Sequence, residues 1–277
     1  MSMSFGAVTF QVLLLALLIA ALLNPVQFDA DAISEASVAD ARVLLVTAHP
    51  DDEASPGITA DEHQGTPVYS LCLSVGNADG LGSMRRREFG ASLDALGVPE
   101  RRRWVLDNPD LQDNFTATWD ANLIAEAVRP YVTSSAITTI LTFDREGVSQ
   151  HPNHRSIREG VRTLLTSPDA PLTHPRFFTL ATVPTVSKYL WVIAPLQAKL
   201  DLTMAAALHA FEDVYASLVG NETPKHADSS APATPEYGAA LFAMLQHKSQ
   251  MVWFRYLYIC FSRYMWVNEW FEVKVPV

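Results

Sequence analysis

The sequence predicts an α/β fold: a Rossmann-like, mostly parallel sheet covered by helices and preceded by a single N-terminal membrane anchor. Three observations predict it. Short apolar runs rich in β-branched residues recur between segments of helical periodicity. Clusters of Gly, Asn, Asp and Pro punctuate the junctions. No ionisable side chain precedes Asp29, although the 277 residues include 20 basic and 30 acidic ones.

The uncharged stretch comes first. Val12 to Leu23 reads VLLLALLIAALL, and extended back to Phe5 the run is broken only by Gly6, Thr9 and Gln11. At ~1.5 Å rise per residue it spans about 28 Å, close to the hydrocarbon thickness of a bilayer. A single membrane anchor, residues 1–28, fits that length. A cleavable signal peptide is the alternative, with small residues at Ala30-Asp31-Ala32 but no Lys or Arg in its n-region. A buried core helix fits least, because the run is apolar on all sides. The first positive residue, Arg42, favours a cytosolic catalytic portion. Sequons at Asn114 and Asn221 would be usable only in a lumenal chain.

Next comes Arg42 to Ala48 (RVLLVTA), an apolar run of the kind buried on both faces of a sheet. Val68 to Val75 (VYSLCLSV) is a second strand, followed by the turn-rich GNADGLG of Gly76 to Gly82. Ser83 is placed to cap a helix through MRRREFGASLDAL, which Gly97 and Pro99 end. Trp104 to Leu106 is a third strand. A helix then covers Trp119 to Val132, and Thr138 to Phe143 (TTILTF) is a fourth strand. Pro152 sits near the first turn of a helix reaching Leu165, and Phe177 to Thr182 is a further strand. This alternation predicts parallel pairing within one domain, residues 40–250. Asn221 to Pro235 (NETPKHADSSAPATP) reads as an exposed loop.

Residues 251–277 are set apart as an aromatic, membrane-proximal segment. Met251 to Phe271 interleaves Trp and Tyr with Arg255 and Arg263, which suits a membrane–water interface. A buried terminal strand or helix is the competing reading. A second full span is not, because two arginines and Glu269 would be costly in lipid.

Composition excludes several classes. A net charge of −10 argues against nucleic acid as a partner. Two cysteines, Cys72 and Cys260, rule out a disulfide scaffold or a cysteine-rich zinc module. Gly76, Gly80 and Gly82 lack the spacing and the lysine of a phosphate loop.

The chemistry lies after two strands. His49-Pro50-Asp51-Asp52-Glu53 follows the first, and Gln150-His151-Pro152-Asn153-His154 follows the fourth. In such sheets ligands bind beyond the carboxyl ends of the strands. His151 and His154, three apart at a helix start, can face one cleft. Two imidazoles and one carboxylate from these loops would hold a catalytic zinc with an open position for water. A neighbouring carboxylate would take the water's proton, and a spare histidine would serve the oxyanion or leaving group. The bland reading is a solvated acidic loop and two helix-capping histidines.

The segments AHPDDE (Ala48 to Glu53) and HPNH (His151 to His154) resemble the LmbE-like family of zinc-dependent de-N-acetylases. SVGNADGLG (Ser74 to Gly82), LTFDREGVSQHPNH (Leu141 to His154), SKYL (Ser187 to Leu190), HKSQ (His247 to Gln250) and WFRYLYICFSRYM (Trp253 to Met265) extend the resemblance over residues 42 to 266. The last of these resembles the eukaryotic membrane branch, which deacetylates N-acetylglucosaminylphosphatidylinositol in GPI-anchor biosynthesis. The resemblance implies that His49, Asp52 and His154 hold Zn2+, with Fe(II) able to occupy the same ligands. It implies Asp51 as general base towards water at the metal, and His151 as oxyanion stabiliser or proton donor to the amine. Arg85 and Asp144 are implied as substrate contacts, Asp144 alternatively as a support behind the site. A surface arginine is the other reading of Arg85. The products would be acetate and a glucosaminyl lipid. The implied location is the endoplasmic reticulum membrane with a cytosolic catalytic domain, the glycolipid and the membrane being the partners.

One departure from the family pattern follows Glu53. Ser55 to Ala60 runs about three apolar residues short, and Asp61 to Thr66 (DEHQGT) is too polar for a helix packed on the sheet. Two other functions therefore stay open: a deacetylase of a soluble amino-sugar conjugate, and an inactive membrane assembly subunit. The C-terminal aromatic segment argues against the first, and the intact acidic and histidine set against the second.

Overall fold

The computed structural model describes residues 41–54, 66–189, 230–233 and 237–275, with positions 193, 208, 211 and 215. The run from Phe5 to Leu23, the short polar stretch after Glu53 and most of Asn221 to Pro235 lie outside the described residues. Among the described residues no helix is long and apolar enough to cross a membrane.

Strands β1 (Val43–Thr47), β2 (Val68–Cys72), β3 (Arg103–Val105), β4 (Thr139–Phe143) and β5 (Arg176–Leu180) pair in parallel. With β6 (Ser230–Ala233) and β7 (Asn268–Glu272), both joined antiparallel at one edge, they form a single sheet in the order β3-β2-β1-β4-β5-β7-β6. Every residue of β1 and β4 is buried, and both consist of apolar side chains and threonines, one of which, Thr142, donates its hydroxyl to the Val46 carbonyl at 2.8 Å. The second strand stops three residues early, at Cys72. Beyond it the Leu73 and Ser74 amides donate to the carbonyls of Thr47 and Ala48, where β1 is already turning away.

Five helices of two turns or more are described: α1 (Gly82–Ala95), α2 (Ala121–Ser134), α3 (Pro152–Thr166), α4 (Tyr237–Gln246) and α5 (Trp253–Phe261). Ser83 is not the cap of α1. The helix begins one residue earlier, where the Asn77 Oδ1 accepts the Gly82 N–H at 2.8 Å. Asp120 caps α2, accepting the amides of Asn122 and Leu123 at 2.9 and 3.1 Å. Helix α3 buries Ile157, Gly160, Val161 and Leu164, an i, i+3, i+4, i+7 stripe. It presses so close to α2 that a Cβ on Gly160 would lie 2.3 Å from the Ile124 Cγ2.

Two apolar clusters flank the sheet. Leu71 belongs to the cluster that contains the buried faces of α2 and α3, whereas Val68 and Cys72 belong to the one containing α1 and α4. Alternate residues of β2 therefore face opposite clusters. Each fully buried Leu, Ile or Phe contributes about 1.5–3 kcal/mol relative to exposure, against about 0–1 kcal/mol for a surface ion pair. Stability accordingly resides in these two layers.

The boundary expected at residue 250 is not a boundary in the fold. Tyr264 and Trp270 are 1% exposed and join the first cluster, and β7 inserts between β5 and β6. Arg263 is carried inside by an ion pair with Glu269. Helix α5 instead leaves aromatic side chains outside the core, with Trp253 75% and Phe254 52% exposed. The buried reading therefore holds for β7 and the turn before it, whereas α5 leaves an aromatic face in solvent. From β1 the chain moves outward to β2 and β3, then returns to β4 on the other side of β1. That reversal opens a crevice at the carboxyl ends of β1 and β4.

Candidate active site

The loop leaving β1 is folded back on itself. Asp52 Oδ2 accepts the amides of Ala48 and His49 at 3.2 and 2.8 Å, turning its carboxylate towards the same point as the His49 ring. Asp51 adopts a φ of 100°, sterically unfavourable for a side-chain-bearing residue and typical of functional loops. The loop leaving β4 delivers His151 as the cap of α3 and His154 in its first turn.

Three donor atoms converge. His49 Nδ1 lies 3.3 Å from His154 Nε2, His154 Nε2 lies 3.4 Å from Asp52 Oδ2, and Asp52 Oδ2 lies 4.0 Å from His49 Nδ1. Ligands at ~2.1 Å around a tetrahedral ion stand about 3.4 Å apart, so this set fits a zinc-sized cation with open positions left over. The donor atoms of His49, His151 and His154 also fall within 4.8 Å of one another, a looser grouping. His151 has a different orientation: its Nδ1 accepts the Asn153 N–H at 3.2 Å, and its Nε2 stands 3.7 Å from the Asp113 Oδ1.

The far side of each imidazole is also held. His154 Nδ1 meets the Gly147 carbonyl at 3.2 Å, and His49 Nε2 meets the Asn153 Oδ1 at 3.2 Å and the Asp113 Oδ1 at 3.3 Å. These contacts assign the N–H to the outer nitrogens and point the inner lone pairs at the common centre. Burial lowers the pKa of His49 to about 4 and, together with the nearby His151, that of His154 to about 3. Both rings are therefore neutral at pH 7, the form a metal ligand requires. Burial also raises Asp51 to about 7 and Asp52 to about 6. The pocket is short of positive charge, which a divalent cation would supply.

Asp51 is paired with Arg255 of α5. Burial raises the Asp51 pKa and Arg255 opposes it. Removing the guanidinium therefore lets the pKa climb further, and less of the carboxylate is ionised at a given acidic pH. Arg255→Leu is expected to move the acid limb of the rate–pH profile to higher pH, losing about tenfold at pH 6 relative to pH 8. A profile of unchanged shape would disconnect Arg255 from the base.

Two residues just before α5 hold the same loop as well. His247 Nε2 and Glu53 Oε1 lie 2.5 Å apart, fully buried, and Gln250 Nε2 donates to the Pro50 carbonyl at 2.7 Å. Glu53 in turn accepts the Asp51 N–H at 3.0 Å. Its pKa is held down by His247 against the upward push of burial, and that of His247 is raised by Glu53. The pair is thus an ionised clamp under the candidate base.

The other expected residues separate. Arg85 is 8% exposed and lines the cavity, which excludes the surface reading; it donates to the Gly76 carbonyl at 2.6 Å and to Asp79 at 2.7 Å. Asp144 is corrected from a sugar contact. Its oxygens accept from the Thr182 N–H and hydroxyl, both at 2.6 Å, and from the amides of Glu146 and Gly147, so it braces the loop behind the site. It does not line the cavity, which has a volume of about 940 Å³. Sequence reasoning missed Asp113, which faces His49, His151 and Arg85. The strand-end rule, applied to β3 as it was to β1 and β4, would have pointed to that loop. Arg255 carried no comparable signal, being one cation in an aromatic run.

Residues 44–165 match the family described as PIG-L: GlcNAc-PI de-N-acetylase. The N-acetylglucosaminyl-phosphatidylinositol de-N-acetylase of Bos taurus is 33% identical over 231 residues, covering 82% of this chain and 82% of its own. The chain belongs to the GlcNAc-PI de-N-acetylase family. A probable member from Schizosaccharomyces pombe is 33% identical over 233 residues, covering 80% of this chain and 83% of its own. Among solved structures, the zinc-inhibited form of the teicoplanin deacetylase Orf2 shares the fold with a TM-score of 0.52 at 13% identity, over 85% of this chain and 98% of that one. Within this family the matched region holds all the expected metal and catalytic positions, whereas the His247, Gln250 and Arg255 clamp lies beyond it.

Proposed function

We propose that this protein hydrolyses the N-acetyl group of N-acetylglucosaminylphosphatidylinositol, releasing acetate and leaving the glucosaminyl lipid of GPI-anchor biosynthesis. The observation carrying the proposal is the convergence of His49, Asp52 and His154 between two further groups suited to proton transfer, Asp51 and His151. His49, Asp52 and His154 would hold the metal, for which Zn2+ is the best match to a set of two imidazoles and one carboxylate. A divalent cation bound there polarises the acetamide carbonyl and acidifies water.

Asp51 takes the proton from the attacking water, held by Arg255 on one side and by Glu53 through its own amide on the other. His151, its Nδ1 occupied by the Asn153 amide, turns Nε2–H towards the oxygen that becomes negative in the tetrahedral intermediate. Proton delivery to the amine then releases it and completes the exchange of an N–C bond for an O–C bond. Asp113 and Arg85 line the same wall and suit sugar hydroxyls.

The exposed aromatic face of α5 borders the cavity and suits contact with a bilayer, with residues 1–28 as the anchor. The endoplasmic reticulum membrane, catalytic side to the cytosol, is the location that goes with this reading. Acetate release from N-acetylglucosaminylphosphatidylinositol and from free N-acetylglucosamine, with and without chelator, tests it. The lipid should be the better substrate, and chelation should abolish turnover until zinc is restored. Release from neither, with no metal bound, would overturn the proposal.

A further inference from the structure

We propose that Lys188 forms an anion subsite on the cavity wall that takes the phosphodiester of the glycolipid, an assignment that rests on the substrate class proposed above. Lys188 ends the helical turn Thr185–Lys188 that follows β5, so it stands beyond the carboxyl end of the strand next to β4. It lines the same cavity as the metal-binding residues. Its ammonium donates to the Val148 carbonyl at 3.3 Å and lies 5.9, 5.8 and 5.6 Å from the ring centres of Tyr189, Tyr258 and Tyr264. Among the described residues no carboxylate pairs with it. Tyrosine faces hold a cation without neutralising it. Arg255, another cation on this wall, is already matched by Asp51.

A half-buried ammonium without a counter-ion has lost hydration and recovered little, so an arriving anion gains more from it than from a solvated lysine. Burial accordingly lowers the Lys188 pKa, and Arg255 lowers it further. Position then selects the anion. Gly147 and Val148 are consecutive: the Gly147 carbonyl holds the His154 Nδ1, and the Val148 carbonyl holds Lys188. Two adjacent peptide groups thus tie the cation to the metal-binding ring. Val148 keeps this arrangement at a φ of 61°, an outlier for a β-branched residue. A substrate with its acetamide at the His49, Asp52 and His154 centre has two rings, sugar and inositol, before its phosphate. At about 940 Å³ the cavity lies within the range of small-molecule sites. The same cavity is lined by Tyr189, Trp253 and Leu257, all exposed and suited to an acyl chain. Polar, cationic and aromatic surface thus share one cavity, as sugar, phosphate and acyl chain share one substrate.

The full chain, zinc-loaded in detergent, is the material for the test. Calorimetric titration of the unaltered protein should show inositol 1-phosphate binding about tenfold tighter than myo-inositol, the gain of one charge-assisted contact. Lys188→Gln should erase that preference, and Lys188→Arg should keep most of it. In turnover, Lys188→Gln should raise KM for N-acetylglucosaminylphosphatidylinositol about tenfold with little change in kcat, lowering selectivity over the phosphate-free N-acetylglucosaminyl-inositol by the same factor. A structural lysine would instead raise KM for both substrates alike, and that outcome overturns the proposal. Equal binding of the two inositols by the unaltered protein also overturns it, and needs no variant to fold. Inorganic phosphate binding as tightly as inositol 1-phosphate would indicate a free-phosphate site and remove the glycolipid from the assignment. Preferential inositol phosphate binding without acetate release would leave the subsite standing and overturn the enzymatic reading instead.

Discussion

Asp51→Asn is expected to lower kcat by about 10²–10⁴ while zinc content stays at that of the unaltered protein. Asparagine matches aspartate in volume and is among the residues that tolerate a positive φ, so the 100° backbone at this position survives. The substitution removes the carboxylate paired with Arg255 and leaves the metal-facing atoms of His49, Asp52 and His154 where they are. Some stability is lost because Arg255 keeps its half-buried position without its anion. The decisive measurement is metal by mass spectrometry alongside single-turnover acetate release. Zinc lost together with activity would make Asp51 a ligand and refute the division of roles between the two adjacent aspartates.

His154→Ala should abolish both zinc binding and turnover. The ring contributes one of the three converging donors and stacks on Phe143 at 4.6 Å, so its removal opens the centre and leaves a gap beside β4. A ligand present at ~100 times its Kd stabilises the folded state by about 2.7 kcal/mol, so unaltered protein should melt at a clearly higher temperature when zinc is added. The variant should show no such shift. His151→Ala separates the two possible donor sets, since it should keep zinc and lose rate if Asp52 is the third ligand. Zinc retained by His154→Ala at full stoichiometry would dismantle the proposed centre.

Much of the frame was legible because it follows from simple periodicities. The runs RVLLVTA and TTILTF read as central strands, being short, rich in apolar and β-branched residues and almost free of charge, and they flank the reversal where the crevice opens. The acidic and histidine segments could be assigned to that crevice by their position immediately after those strands. Element ends were less legible, since Ser83 has the right chemistry for a cap but Asn77, six residues upstream, supplies the bond. Asp144 looked chemically available from sequence, yet Thr182 lies close enough to absorb both its oxygens. Contacts between Glu53 and His247, or Asp51 and Arg255, join residues about 200 positions apart, and no local pattern encodes them. The aromatic run suggested a membrane surface and concealed an arginine that reaches into the site.

That long-range grip has a consequence for the order in which the protein comes into being. The ion pair of Glu53 with His247 closes over 194 residues, and the bond from Gln250 to Pro50 over 200. On a ribosome, the acidic loop is made first and waits for about 200 further residues before its brace exists. Strand β7, which borders β5, arrives later still. Contacts of this separation are entropically slow to form and are made late in folding. A nascent chain interrupted before residue 247 would therefore contain every residue proposed to bind metal or transfer a proton and still lack the contacts that hold the acidic loop. Bracing of the acidic loop is thus coupled by topology to the emergence of residues 247–255.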